Sequence, residues 1–116
     1  MFDDKYKFTC VDRFLKYVKY DTQSDEESES FPSTEKQKVL SQDLANDLKA
    51  MGIEDAHMDE WGYVMATLPS NTEKKVDPIA FIAHVDTSPA VTGKDVNPII
   101  NKNYQGGDIA FIGSHD

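Results

Sequence analysis

At 116 residues the chain has the length of one ordinary domain, which leaves little room for a second independent core. Hydrophobic residues make up 39% and charged residues 28%, a balance that fits a folded globular chain and excludes one disordered throughout. The net charge of −9, from 12 basic against 21 acidic residues, excludes a nucleic-acid binder, which needs a basic patch for the phosphate backbone. An acidic surface instead favours cations, whether metal ions or amine-bearing substrates.

No run approaches the roughly 20 apolar residues of a membrane-spanning helix, so no membrane role is expected. Acids follow Met1-Phe2 at once, so the start does not read as a secretory leader. Cys10 is the only cysteine, which rules out an internal disulfide and a cysteine-based zinc site and suits a reducing cytoplasm.

In residues 5–20 the apolar side chains Phe8, Val11, Phe14, Leu15 and Val18 recur at three- and four-residue intervals. That spacing predicts one face of an amphipathic helix. Residues 21–30 are polar and carry five acids, and read as a solvated connection. A second helix then opens with Thr34 and Gln37 at capping-box spacing. Its buried stripe is expected at Val39, Leu40, Leu44, Leu48 and Met51, with Gly52 placed to stop it in a left-handed conformation.

Residues 53–58 and 63–68 read as two short strands joined by the turn Asp59-Glu60-Trp61-Gly62. Ile79-Ala80-Phe81-Ile82-Ala83 is the longest apolar run, too short for a helix and without alternation. It predicts a strand buried on both faces. Residues 99–100 and 109–112 are candidates for further short strands flanking Gly106-Gly107-Asp108. The expected fold class is α/β, with helices packed on a mixed β-sheet.

His84-Val85-Asp86 follows directly on that apolar run. In extended backbone, residues 84 and 86 project from one face, and ligands collect at the carboxyl ends of α/β sheet strands. A neutral imidazole ligates zinc well, and a neighbouring carboxylate can hold its other ring nitrogen and fix the tautomer. A single His-x-Asp triplet is a short motif, however. On spacing alone, a metal ligand and an ordinary hydrogen-bonded histidine both remain open.

The other candidates point to structure. His57 fits an exposed strand position, Asp59-Glu60 an acidic turn and Trp61 aromatic packing over a hairpin. Cys10 lies at the edge of a helix with no partner to activate it. Gly106-Gly107-Asp108 lacks the spacing and the lysine of a phosphate loop. His115 is expected to be exposed. Zinc catalysis takes about three protein ligands plus an open position for water, and the chain offers one convincing candidate.

Several blocks, in order, resemble the opening of the peptidase T family of bacterial tripeptide aminopeptidases. They are Arg13-Phe14-Leu15-Lys16-Tyr17-Val18, Asp21-Thr22-Gln23-Ser24-Asp25, Pro32-Ser33-Thr34-Glu35, DEWGYVMATLP from Asp59, FIAHVDTSP from Phe81 and YQGGDIA from Tyr104. The resemblance implies a catalytic α/β domain of the zinc-exopeptidase type, interrupted by a lid and dimerisation domain and holding two zinc ions. By the same resemblance, His84 matches a zinc ligand, and Asp86 matches the catalytic aspartate that supports it. Substrate-binding residues are not identified.

Family chains are several times longer, and their bridging aspartate, paired glutamates, further acidic ligand and late histidine have no counterpart among these 116 residues. The expectation is therefore an incomplete amino-terminal portion of the catalytic domain, residues 1–116, without the lid and with at most one partial zinc site. It is expected to be inactive alone, whereas the whole enzyme acts on tripeptides. Two alternatives stand beside this: a non-catalytic domain that forms a homodimer through open sheet edges, or a related exopeptidase or deacylase of the same superfamily.

Overall fold

The computed structural model describes residues 7–110. The first helix, α1 (Cys10–Tyr17), has 8 residues and is shorter than its apolar spacing predicts. Past Tyr17 the chain tightens. The amides of Lys19 and Tyr20 bond to carbonyls three residues back, at 3.4 and 3.1 Å, before the backbone leaves the helix axis.

No residue of α1 is buried, and Phe14 and Val11 on the expected core face lie more than half exposed. What holds α1 is polar. The second helix, α2 (Gln37–Ala50), carries Asp43 and Asp47 four residues apart, hence on one face. Lys16 Nζ lies 2.7 Å from Asp43 and 2.9 Å from Asp47. The hydroxyl of Tyr17 donates to Asp47 at 2.8 Å and that of Tyr20 to Asp43 at 2.7 Å.

The buried face of α2 is narrower than expected and partly polar. Leu40, Ala45, Ser41 and Gln37 are buried and Leu44 and Leu48 half-buried, but Val39 and Met51 are exposed. Thr34 and Gln37 meet, though not as a capping box. Gln37 Nε2 donates to the hydroxyls of Ser33 and Thr34, both at 3.1 Å. At the other end Gly52 takes φ +92°, as expected. Its amide bonds to the Lys49 carbonyl and that of Ile53 to the Leu48 carbonyl, which satisfies two of the helix's free acceptors.

The strands are β1 (His57–Met58) and β2 (Val64–Met65), antiparallel with His57 opposite Met65 and Met58 opposite Val64. The turn between them is built by Asp59, whose carboxylate accepts from the amides of Trp61 and Tyr63. Gly62 supplies φ +89°. The sheet packs on α2, and Leu40, Ala45 and Ala56 form the buried apolar core. Among the described residues, two helices and a two-stranded sheet make a small mixed α/β arrangement. Among the described residues no helix is long and apolar enough to cross a membrane.

Beyond residue 68 the expected strands do not form among the described residues. Residues 79–83 form no strand, and Phe81 and Ile82 are 96% and 95% exposed. A strand buried on both faces needs a neighbour on each edge and a layer on each side, and none of the described residues supplies them. Residues 99–100 and 109–110 are likewise not strands, and 111–112 lie outside the described residues. Instead of a mixed sheet the described residues form the antiparallel pair and an isolated parallel bridge, Gln23 to Thr87. The radius of gyration is 18.1 Å, against about 13 Å for a close-packed chain of 100 residues.

Two outcomes follow from this architecture. With so small a core and so much exposed apolar chain, the 116-residue protein binds anilinonaphthalene sulfonate strongly and melts over a broad range. A sharp calorimetric transition without dye binding would contradict this. The docking of α1 also depends on pH. Lys16 and the tyrosine hydroxyls hold Asp43 and Asp47 below the usual carboxylate range, while the two carboxylates raise Lys16 above the usual lysine value. A depressed acid contributes stability fully above its unfolded pKa, about 3.9, and loses it as pH falls through the lower folded value. The raised lysine contributes below about 10.4 and loses its share only in strong alkali. The protection factors of the α1 amides, measured against the intrinsic exchange rate at each pH, should therefore be flat between these limits and fall below about pH 4, sooner at high salt because the pair is partly exposed.

Candidate metal centre

His84 and Asp86 come together as their spacing suggests, but on a loop rather than at the end of a sheet strand. The imidazole Nδ1 lies 3.0 Å from Asp86 Oδ1, with the His84 side chain 84% exposed and that of Asp86 44%. An ionised carboxylate only accepts, so Nδ1 carries the ring proton. In the neutral ring the lone pair is then on Nε2, which is the nitrogen a metal ion needs. Val85, between them, is half-buried.

With no strand beneath it, the pair is placed by the parallel bridge. The Thr87 amide donates to the Thr22 carbonyl at 3.1 Å, and the Ser24 amide donates to the Thr87 carbonyl at 2.9 Å. The Ser24 hydroxyl donates to that same carbonyl at 2.9 Å. Thr22 is 2% exposed, so this anchor lies inside the protein while the imidazole faces water.

Residues 21–24 were missed as contributors to the site, because a polar run reads as a solvated connection. Their one legible signal is local. Asp21 accepts from the Gln23 amide two residues on, as short polar side chains do at turns, and also holds Lys36 Nζ at 2.9 Å.

Two of the remaining candidates have local partners. The His57 ring contacts the Asp55 carbonyl at 2.8 Å, and Asp59 is engaged by its own turn. Trp61 is half-exposed on the hairpin and Cys10 is exposed at the first turn of α1. His115 lies outside the described residues. Among the described residues no three His, Cys, Asp or Glu side chains lie close enough to hold a metal ion together. The fit to zinc is thus that of a single ligand: a solvent-facing Nε2 on a ring whose far nitrogen is fixed by a carboxylate.

Fold and site together define a small α/β chain that presents one carboxylate-backed histidine. No family model matches it. Curated relatives do. It is 57% identical over 101 residues to peptidase T of Caldanaerobacter subterraneus, and 61% over 103 residues to peptidase T of Alkaliphilus oremlandii. Each match covers 87% of this chain and 25% of the relative. Peptidase T of Bacillus pumilus is 54% identical over 105 residues, covering 90% of this chain and 26% of its own. The chain belongs to the peptidase T family and spans about a quarter of the length of the curated relatives it matches.

The tautomer is directly measurable. Ring ¹⁵N shifts of His84 at neutral pH should show the proton on Nδ1, and Asp86→Ala should return the ring to a solvent-averaged mixture. Identical spectra for the two proteins would mean that the carboxylate does not set the tautomer.

Proposed function

We propose that the chain is part of the catalytic domain of a zinc-dependent tripeptide aminopeptidase, to which it contributes one zinc ligand, His84, and the aspartate that orients it, Asp86. The observation that carries this reading is the 54–61% identity to proteins named peptidase T over some 87% of the chain. The exposed ring of His84, with its Nδ1 against the Asp86 carboxylate, supports it.

In this reading residues 1–116 belong to a zinc-exopeptidase-type domain that carries two zinc ions when whole. Zinc, when bound, supplies a Lewis acid for the scissile carbonyl and brings a water toward neutral pKa. The residues of this chain do simpler things. His84 would offer its Nε2 lone pair to the ion. Asp86 keeps the Nδ1 proton in place, so that the ring presents the correct nitrogen and becomes a stronger donor. Residues 22–24 hold the loop that carries both. The substrate class is short peptides with a free amino terminus, and the site of action is the cytoplasm.

One histidine falls well short of the three ligands of a catalytic zinc, so the 116-residue chain alone should bind zinc weakly and hydrolyse no tripeptide. The decisive experiment exchanges these residues for the matching quarter of the Alkaliphilus oremlandii relative. The chimera should cleave tripeptides in a zinc-dependent manner. His84→Ala should abolish that activity, and Asp86→Ala should lower it by about 10–100-fold. A folded chimera whose activity is indifferent to His84 would refute the reading. So would zinc affinity of micromolar or better at His84 in the isolated chain.

The exposure of Phe81 and Ile82 favours a second reading, in which the chain pairs with a copy of itself through residues 79–83. Its signature is an oligomer that grows with concentration, is insensitive to chelators and dissolves on Phe81→Lys.

A further inference from the structure

Gln23 lies within the polar run after α1, yet it is half-buried and its side-chain amide nitrogen is engaged. Its Nε2 sits 2.9 Å from the Pro89 carbonyl and 3.2 Å from that of Val91. A primary amide has two N–H donors, so both are spent on the turn that follows the His84-Asp86 pair.

The backbone of Gln23 is tied as firmly. Its carbonyl accepts from the Thr34 hydroxyl at 2.8 Å, just ahead of α2, and its amide donates to Asp21 at 3.2 Å. Asp21 is in turn paired with Lys36. The loop returns to the same point at Gly93, where a Cβ would stand 3.2 Å from Thr87 Oγ1 and 3.9 Å from Asp21 Oδ1. One glutamine thus links the start of α2 to the loop that carries the candidate ligand.

We propose that Gln23 is a positioning residue for the His84-Asp86 pair. By gripping the carbonyls of Pro89 and Val91 it fixes the turn on one side of Thr87. The backbone bridge to Thr22 and Ser24 fixes Thr87 itself. With both restraints in place Asp86 stays against Nδ1, and Nε2 keeps a constant direction. Without the side-chain grip the turn hangs on the bridge alone, and the carboxylate drifts from the ring. The proposal rests on reading His84 and Asp86 as a ligand pair, but the grip itself does not.

The test is carried out on the 116-residue chain with two variants and one control. Gln23→Glu keeps the shape but replaces two donors by acceptors facing two carbonyl oxygens. Gln23→Ala removes the grip without adding charge, so a folding failure of the first variant still leaves a reading. Gln42→Glu makes the same chemical change on an exposed face of α2, where the amide bonds only to Asn46.

Exchange of the Thr87 amide and the ¹⁵N shifts of the His84 ring are measured together. In both Gln23 variants the exchange should rise about tenfold and the Nδ1–H preference should vanish, with the control unchanged. Faster exchange with an unaltered imidazole would overturn the proposal, because Gln23 would then only hold a loop. No change in either quantity would overturn it as well. If the proposal fails while the unsubstituted chain retains its Nδ1–H preference, the ligand reading of His84 stands. If that preference is absent from the start, both fall together.

Discussion

The bridge between residues 22–24 and Thr87 is the tie on which the placement of the candidate site depends. Most of residues 69–110 lie open to solvent, and hydrogen bonds on Thr22, Gln23 and Ser24 join them to the helical side. Each such bond contributes a net of about 0.5–1.5 kcal/mol, because water competes for the same groups. Burial changes that balance locally. Thr22 is nearly inaccessible, so a carbonyl abandoned there would find little solvent to replace its partner. The bridge is therefore short but directional, and it sets where His84 can stand.

Much of the helical side was legible in the sequence, because local rules decide it. Gly52 ends α2 with a positive φ, and Asp59 and Gly62 build the hairpin turn with chemistry that acts within four residues. The pairing of His84 with Asp86 was legible for the same reason, since two residues apart is a local relation. The apolar run at 79–83 was not. Its composition expresses a preference for burial, but burial requires partners, and hydrophobicity alone does not say where they are. The polar run failed in the opposite direction. Thr22, Gln23 and Ser24 look solvated by type, yet they are spent on backbone groups more than sixty residues away in sequence. The same blindness applies to α1, whose apolar face suggested core packing while Lys16, Tyr17 and Tyr20 made the contacts.

Kinship with peptidase T and the geometry of the pair answer different questions. Identity over most of the chain says which family the sequence belongs to, and the loop says which atom of His84 is available. A metal that activates water needs several donors converging from different parts of a chain, with one position left open. The described residues bring one imidazole and its supporting carboxylate to the surface. In the proposed reading the chain supplies one ligand, its loop held by hydrogen bonds that cross from one half of the sequence to the other.

The most direct measurement is a zinc titration of the ¹⁵N-labelled chain that follows both nitrogens of His84. The account predicts a shift at Nε2 in fast, weak exchange, with the proton retained on Nδ1 throughout. Zinc arriving at Nδ1, or perturbing His57 while His84 stays unchanged, would contradict it.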